Sequence, residues 1–214
     1  MIKGPDFSLY LVTDRTLSLG RPLEGIVEAG VRGGVSAVQL REKSSSTEEY
    51  IETARRIKKV LEPSGVPLII NDRVEVALEV GAAGVHLGQG DMAPAEARKL
   101  LGADAVIGLS VETPEQADKA DHLDVDYLGV SPIFPTPTKT NLATAWGLQG
   151  LRLLRALSRH QLIAIGGINL SNAAKVMEAG ADGIAVVSAI FSAPDPEAAA
   201  RALRTIVNRL RKWR

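Results

Sequence analysis

Cysteine is absent from the 214 residues. That excludes a disulfide framework, a thiol nucleophile and a thiolate metal site, and it agrees with a reducing cytosol. An excess of either charge is missing too: Lys and Arg total 25, Asp and Glu total 25, and the formal net charge is zero. No overall field recruits nucleic acid or an anionic membrane, so any anion site must be built locally. Long apolar runs are also lacking. Stretches such as Pro67-Leu68-Ile69-Ile70 are strand-length, far below the ~20 residues that span a bilayer. The leading Met1-Ile2-Lys3-Gly4-Pro5-Asp6 has no apolar signal-peptide core. No Gly-x-Gly-x-x-Gly follows the first predicted strand, which removes the main support for a dinucleotide fold. These absences predict a soluble, cytoplasmic protein with neither nucleic acid nor membrane as partner. They leave the oligomeric state open, a homo-oligomer included.

Hydrophobic residues make up 45% of the chain and charged residues 23%, the mix of a folded domain with a large core. A degenerate repeat organises it. Glu28-Ala29-Gly30 before Val35–Leu40, Glu79-Val80-Gly81 before Val85–Leu87, and Glu178-Ala179-Gly180 before Ile184–Val186 each read as a helix end, a left-handed cap glycine and a buried strand. The spacing of these glycines suits about eight βα units of roughly 25 residues. Strands are predicted over 9–13, 37–41, 68–71, 85–87, 106–109, 127–130, 162–165 and 184–187. Helices include 47–61, 94–101 and a last amphipathic one over 196–212. Alternating strands and helices imply a parallel sheet covered on both faces. Eight units close most easily as a (β/α)8 TIM barrel, here one domain over 1–214. The connection 131–147 is too long for a plain turn and carries Pro132, Pro135 and Pro137, so it is expected to be a shaped binding loop.

Barrel enzymes work at the C-terminal ends of their strands, and polar residues collect there. Strand alternation places Gln39, Arg41 and Lys43 on one face, opposite Val38 and Leu40, and therefore toward the mouth. Asp72 and Asp91 leave adjacent strands on the same rim and suit Mg²⁺, which takes one or two carboxylates plus phosphate and water. Their competing reading is as helix caps. Ser110 ends the fifth strand, and Thr136, Thr138 and Lys139 lie on the long loop, where hydroxyls and a lysine can anchor phosphate oxygens. Gly166-Gly167 and Val187-Ser188 end strands seven and eight, where barrels frequently hold a phosphate through backbone N–H groups. One side of the rim thus suits a diphosphate with Mg²⁺ and the other a monophosphate. No nucleophile–base pair is evident, so covalent enzyme catalysis is not indicated. His86 is open between a mouth and a core position.

The segments Tyr10–Asp14, Gln39–Lys43, Asn71-Asp72-Arg73, His86–Gln89 with Asp91, Gly108–Ser110, Ile133–Lys139, Gly166–Ile168 and Val187-Ser188 jointly resemble the thiamine-phosphate synthase family. The resemblance implies an enzyme, a transferase, joining two small molecules. The substrates are 4-amino-2-methyl-5-(diphosphooxymethyl)pyrimidine and 4-methyl-5-(2-phosphooxyethyl)thiazole, and the products are thiamine phosphate and pyrophosphate. It further implies that Gln39, Arg41, Lys43, Asn71, Ser110 and Lys139 bind the pyrimidine diphosphate, with Arg41, Lys43, Ser110 and Lys139 catalytic. Asp72 and Asp91 would hold the Mg²⁺ cofactor. Thr136, Thr138, Gly167, Val187 and Ser188 would bind the thiazole phosphate. The alternatives are a thiazole tautomerase of the same barrel family, which needs no diphosphate half-site, and a non-catalytic phosphate-ligand-binding barrel.

Overall fold

Strands buried on both faces must carry apolar residues in both directions, and the short apolar runs of this chain do so. The structure, a computed structural model, describes residues 5–135 and 145–211. Eight parallel strands pair in chain order and close on themselves: β1 (Leu9–Val12), β2 (Ala37–Leu40), β3 (Leu68–Asn71), β4 (Gly84–Leu87), β5 (Val106–Val111), β6 (Tyr127–Val130), β7 (Gln161–Ile165) and β8 (Gly183–Val186). The helices between them are α1 (Leu23–Arg32), α2 (Thr47–Leu61), α3 (Val74–Val80), α4 (Pro94–Leu101), α5 (Pro114–Ala120), α6 (Gly147–Leu157) and α7 (Ala173–Glu178). A short α8 (Ser188–Phe191) and the long α9 (Pro196–Arg211) follow β8. The chain therefore has the (β/α)8 barrel architecture expected from its repeat. No helix among the described residues is long and apolar enough to cross a membrane.

Alternation along the strands divides the core in two. Leu9, Leu11, Val38, Leu40, Ile70 and Val85 face outward and pack with the helices. Tyr10, Val12, Ala37, Ile69, Tyr127 and Ile163 face inward, and Phe7 packs with them from the segment ahead of β1. The inner core is aromatic: Phe7 stands 4.6 Å from Tyr127 and 5.3 Å from Tyr10, centroid to centroid, and the two tyrosines meet edge to face at 6.0 Å. Each such pair contributes about 0.5–1.5 kcal/mol beyond its buried area.

Local signals set the helix ends. Ser46 opens α2 with a capping box: its hydroxyl accepts from the Glu49 N–H at 3.2 Å, while the Glu49 carboxylate accepts from the Ser46 N–H at 3.0 Å. Gly81 and Gly180 adopt the positive φ foreseen for them, +57° and +117°. Gly30 does not: it lies inside α1, which runs on to Arg32, and Gly34 at φ +102° makes the turn instead. A Cβ at Gly30 would stand 3.2 Å from Leu11 Cδ2, so close packing of α1 on β1 explains that glycine. β5 runs to Val111, beyond the expected 109, which makes Ser110 a strand residue.

Tyr50 links α2 to the strands under the mouth. Its buried hydroxyl lies 2.6 Å from the Leu40 carbonyl, to which it donates, and it accepts from the Asn71 N–H at 3.2 Å. Burial pushes the phenol up, so it stays a donor. Tyr50→Phe should lower unfolding stability by about 1–3 kcal/mol, because both backbone partners lose a buried hydrogen bond. Urea denaturation of the two proteins measures it; an unchanged midpoint would show the bridge to be dispensable.

Candidate active site at the C-terminal mouth of the barrel

A cavity of about 340 Å³ opens at the C-terminal ends of the strands. Gln39, Arg41, Lys43, Asn71, Asp72, Asp91, Ser110, Gly167, Val187 and Ser188 all line it, as does His86. Thr136, Thr138 and Lys139 lie outside the described residues. The segments flanking them are tied down: Trp146 and Gly147 donate from their backbone N–H groups to the Pro132 and Ile133 carbonyls at 2.9 and 3.0 Å.

The β2 end alternates as its sequence requires. Arg41 donates its backbone N–H to the buried Thr13 hydroxyl at 3.0 Å, and its guanidinium stands 3.6 Å from the Asp14 carboxylate. Glu42, one residue on, turns the other way and accepts from Arg15 at 2.7 and 3.2 Å. Arg15 thereby offsets the Glu42 charge, while Arg41 and Lys43 line the cavity.

Asp72 and Asp91 are not helix caps. The residue preceding α3 is Arg73 and that preceding α4 is Ala93, and neither helix has a side-chain cap bond at its start. Asp72 instead adopts φ +64°, a left-handed conformation that Asp tolerates better than most residues. Its N–H donates to the His86 carbonyl at 2.9 Å, which extends the β3–β4 ladder and fixes where the carboxylate points. Asp91 is fixed by the Gly88 N–H, which donates to its Oδ2 at 2.7 Å. The two carboxyls share the cavity wall, near enough for the Asp91 charge to act on Asp72. Asp72 is pushed up to about 6, first by its recessed, partly dehydrated position and then by the Asp91 carboxylate, with Asn71 and Arg41 opposing. Two like charges held together in this way fit a hard divalent cation. Among the described residues no group of three His, Cys, Asp or Glu could hold a metal alone. The pair therefore suits an ion that completes its shell with substrate oxygens and water, as Mg²⁺ does, and not a self-contained zinc site.

Across the mouth, backbone replaces charge. Gly166 and Gly167 have φ +104° and +66°. Their lack of Cβ has a steric cause: a Cβ on Gly166 would lie 2.9 Å from Pro132 Cα, and one on Gly167 2.8 Å from Phe134 Cβ. The β6 loop lies directly against them, with Ile133 and Phe134 donating to the Ile165 and Gly166 carbonyls at 2.9 and 3.1 Å. Asn172 holds the Gly167 carbonyl at 2.9 Å, and Ser188 starts α8 beside it on the cavity wall.

The floor contains residues that the sequence reading passed over. Gln39 donates through Nε2 to the Tyr10 hydroxyl at 3.1 Å, which lies 3.0 Å from the Tyr127 hydroxyl. Tyr127 is 2.9 Å from His86 Nδ1, and His86 Nε2 is 2.8 Å from Ser110 Oγ. His86 is therefore both inside the barrel and on the cavity wall. Gly108 and Gly129 make its room: Cβ atoms there would lie 2.6 Å from Nδ1 and 2.8 Å from Cε1. The inward alternation of Tyr10 with Val12, and of Tyr127 with Gly129, is the sequence signal that could have placed both tyrosines in the floor.

Known proteins resemble this chain in sequence and in fold. The family model described as thiamine monophosphate synthase matches residues 9–190. A thiamine-phosphate synthase of Albidiferax ferrireducens is 53% identical over 200 residues, covering 94% of this chain and 91% of its own length. One from Leptospira biflexa is 54% identical over 200 residues, 92% of this chain and 95% of the relative. The solved thiamine phosphate pyrophosphorylase of Pyrococcus furiosus superposes with a TM-score of 0.88 at 37% identity, covering 96% of this chain and 98% of that one. With the family model spanning β1 to α8 and half of all residues shared with such relatives, the chain belongs to the thiamine monophosphate synthase family.

Proposed function

We propose that the chain couples 4-amino-2-methyl-5-(diphosphooxymethyl)pyrimidine to 4-methyl-5-(2-phosphooxyethyl)thiazole with Mg²⁺, forming thiamine phosphate and releasing pyrophosphate. As a member of its family it is a transferase of thiamine biosynthesis. The observation that carries the substrate assignment is the facing pair Asp72 and Asp91 beside Arg41, across the mouth from Gly167 and Ser188. A tautomerase acting on the thiazole phosphate alone has no use for that pair, and neither has a simple phosphate binder.

Asp72 and Asp91 would hold the metal, which when bound offsets charge on the diphosphate and improves it as a leaving group. Arg41, Lys43 and Lys139 add positive charge around the same oxygens, and the Ser110 hydroxyl donates to one of them. Gln39 and Asn71, both buried, bind polar edges of the pyrimidine. Gly167, Val187 and Ser188 hold the thiazole phosphate, with Thr136 and Thr138 as further hydroxyl donors to it. This brings the thiazole nitrogen to the pyrimidine methylene carbon. The C–O bond to the diphosphate breaks with its electron pair leaving on oxygen, and the nitrogen lone pair forms the new C–N bond. The inner tyrosines, Ile163 and Ile165 keep water from capturing the carbon first.

Pyrophosphate release by the purified protein tests the reading. Release should need both substrates and Mg²⁺, and leaving out any one should abolish it. Absence of release from the complete mixture would overturn the reading.

A further inference from the structure

Five side chains form one hydrogen-bonded chain across the barrel floor: Gln39, Tyr10, Tyr127, His86 and Ser110. Each tyrosine hydroxyl has one proton to give and each neutral imidazole one N–H, so the direction of donation at one end determines it at every link. Gln39 Nε2 donates into the Tyr10 oxygen. Tyr10 is fully buried, and with Gln39 donating into its oxygen, the Tyr127 oxygen 3.0 Å away is left to accept its proton. Donation the other way would leave that proton buried and unmatched. Tyr127, having accepted, gives its own proton to His86 Nδ1. The imidazole proton is then on Nε2 and points at Ser110 Oγ. Burial raises both phenols well above the ordinary range, so neither loses its proton near neutral pH.

We infer that this chain is a direction-setting device. The Gln39 amide, through Tyr10 and Tyr127, holds His86 as the Nε2–H tautomer, which leaves the Ser110 hydroxyl proton to be donated up into the cavity. Tyr10, Tyr127 and His86 are positioning residues in this account, and Ser110 is the group they aim. The consequence for catalysis rests on the proposed reaction, in which Ser110 donates to the diphosphate. The tautomer itself does not, because it exists in the protein without substrate.

Two measurements test the inference. In ¹⁵N-histidine-labelled protein without ligands, the His86 resonances should report Nε2 protonated and Nδ1 bare. Gln39→Glu places an acceptor where the donor was and should reverse the chain, moving the proton to Nδ1. His86 in the Nδ1–H form in the unaltered protein, or no change of tautomer in Gln39→Glu, would overturn the inference whatever reaction the enzyme performs. In the pyrophosphate assay, Tyr127→Phe should lower kcat roughly tenfold to a hundredfold with KM for the thiazole phosphate unchanged. Adding Tyr127→Phe to Ser110→Ala should then cost nothing further. Multiplicative losses in the double variant would show that Tyr127 acts independently of Ser110 and would contradict the chain.

Discussion

Asp72→Asn and Asp91→Asn should each lower Mg²⁺-supported pyrophosphate release roughly a thousandfold, since a bound metal contributes several kcal/mol to stabilising the leaving charge. Asparagine is the informative replacement at position 72. The residue stands at φ +64°, which Asn tolerates and Ala does not, so the substitution removes charge without straining the backbone. Thermal stability should be unchanged or higher, because the neutral side chain ends both the desolvation cost of the recessed charge and the repulsion by the neighbouring carboxylate, which together push Asp72 up to about 6. The activity is measured across a Mg²⁺ titration and the stability by thermal unfolding. Wild-type rates in both variants would return the carboxylates to a merely structural role and remove the case for a metal-dependent half-site.

Gly108→Ala should be the most damaging single methyl in the floor. The added Cβ would stand 2.6 Å from His86 Nδ1 and would also overlap the Tyr127 ring and hydroxyl. Neither ring can retreat easily. Tyr127 is fully buried against Phe7 and Tyr10, and His86 meets Gly129 on its other side. Overpacking of this kind costs about 1–3 kcal/mol, which in a protein of this size lowers Tm by several degrees, at about 2–4 °C per kcal/mol. Because the clash falls on the Tyr127–His86 link, kcat should fall as well. A variant with wild-type Tm and kcat would mean that the floor is far more compliant than its packing implies.

The barrel was legible because parallel strands covered on both faces announce themselves as short apolar runs, and because helices ending at Gly81 and Gly180 repeat the same signal. Gly30 misled because a glycine required for close contact with Leu11 looks, in sequence, like one required for a turn. The mouth was legible wherever alternation alone decides direction, as for Gln39, Arg41 and Lys43. Two features were not. The left-handed backbone of Asp72 depends on the β3–β4 ladder running one residue past Asn71, a tertiary fact. The floor chain joins Tyr10 to Tyr127 over 117 residues of sequence, and a tyrosine among apolar strand residues reads as core until its hydroxyl's partner is known. The pairing of Arg15 with Glu42, which turns Glu42 away from Arg41 and Lys43, was hidden for the same reason.

The mouth is expected to hold two unlike anion sites, one dependent on Mg²⁺ and one not. Calorimetric binding of inorganic pyrophosphate to the wild-type protein, with and without Mg²⁺ and with and without saturating thiazole phosphate, tests it most directly. Pyrophosphate should bind only with Mg²⁺, should bind equally well when the thiazole phosphate is present, and should fail to bind the Asp72→Asn/Asp91→Asn double variant. Binding that ignores Mg²⁺, or that the thiazole phosphate displaces, would mean a single anion site and would contradict the account.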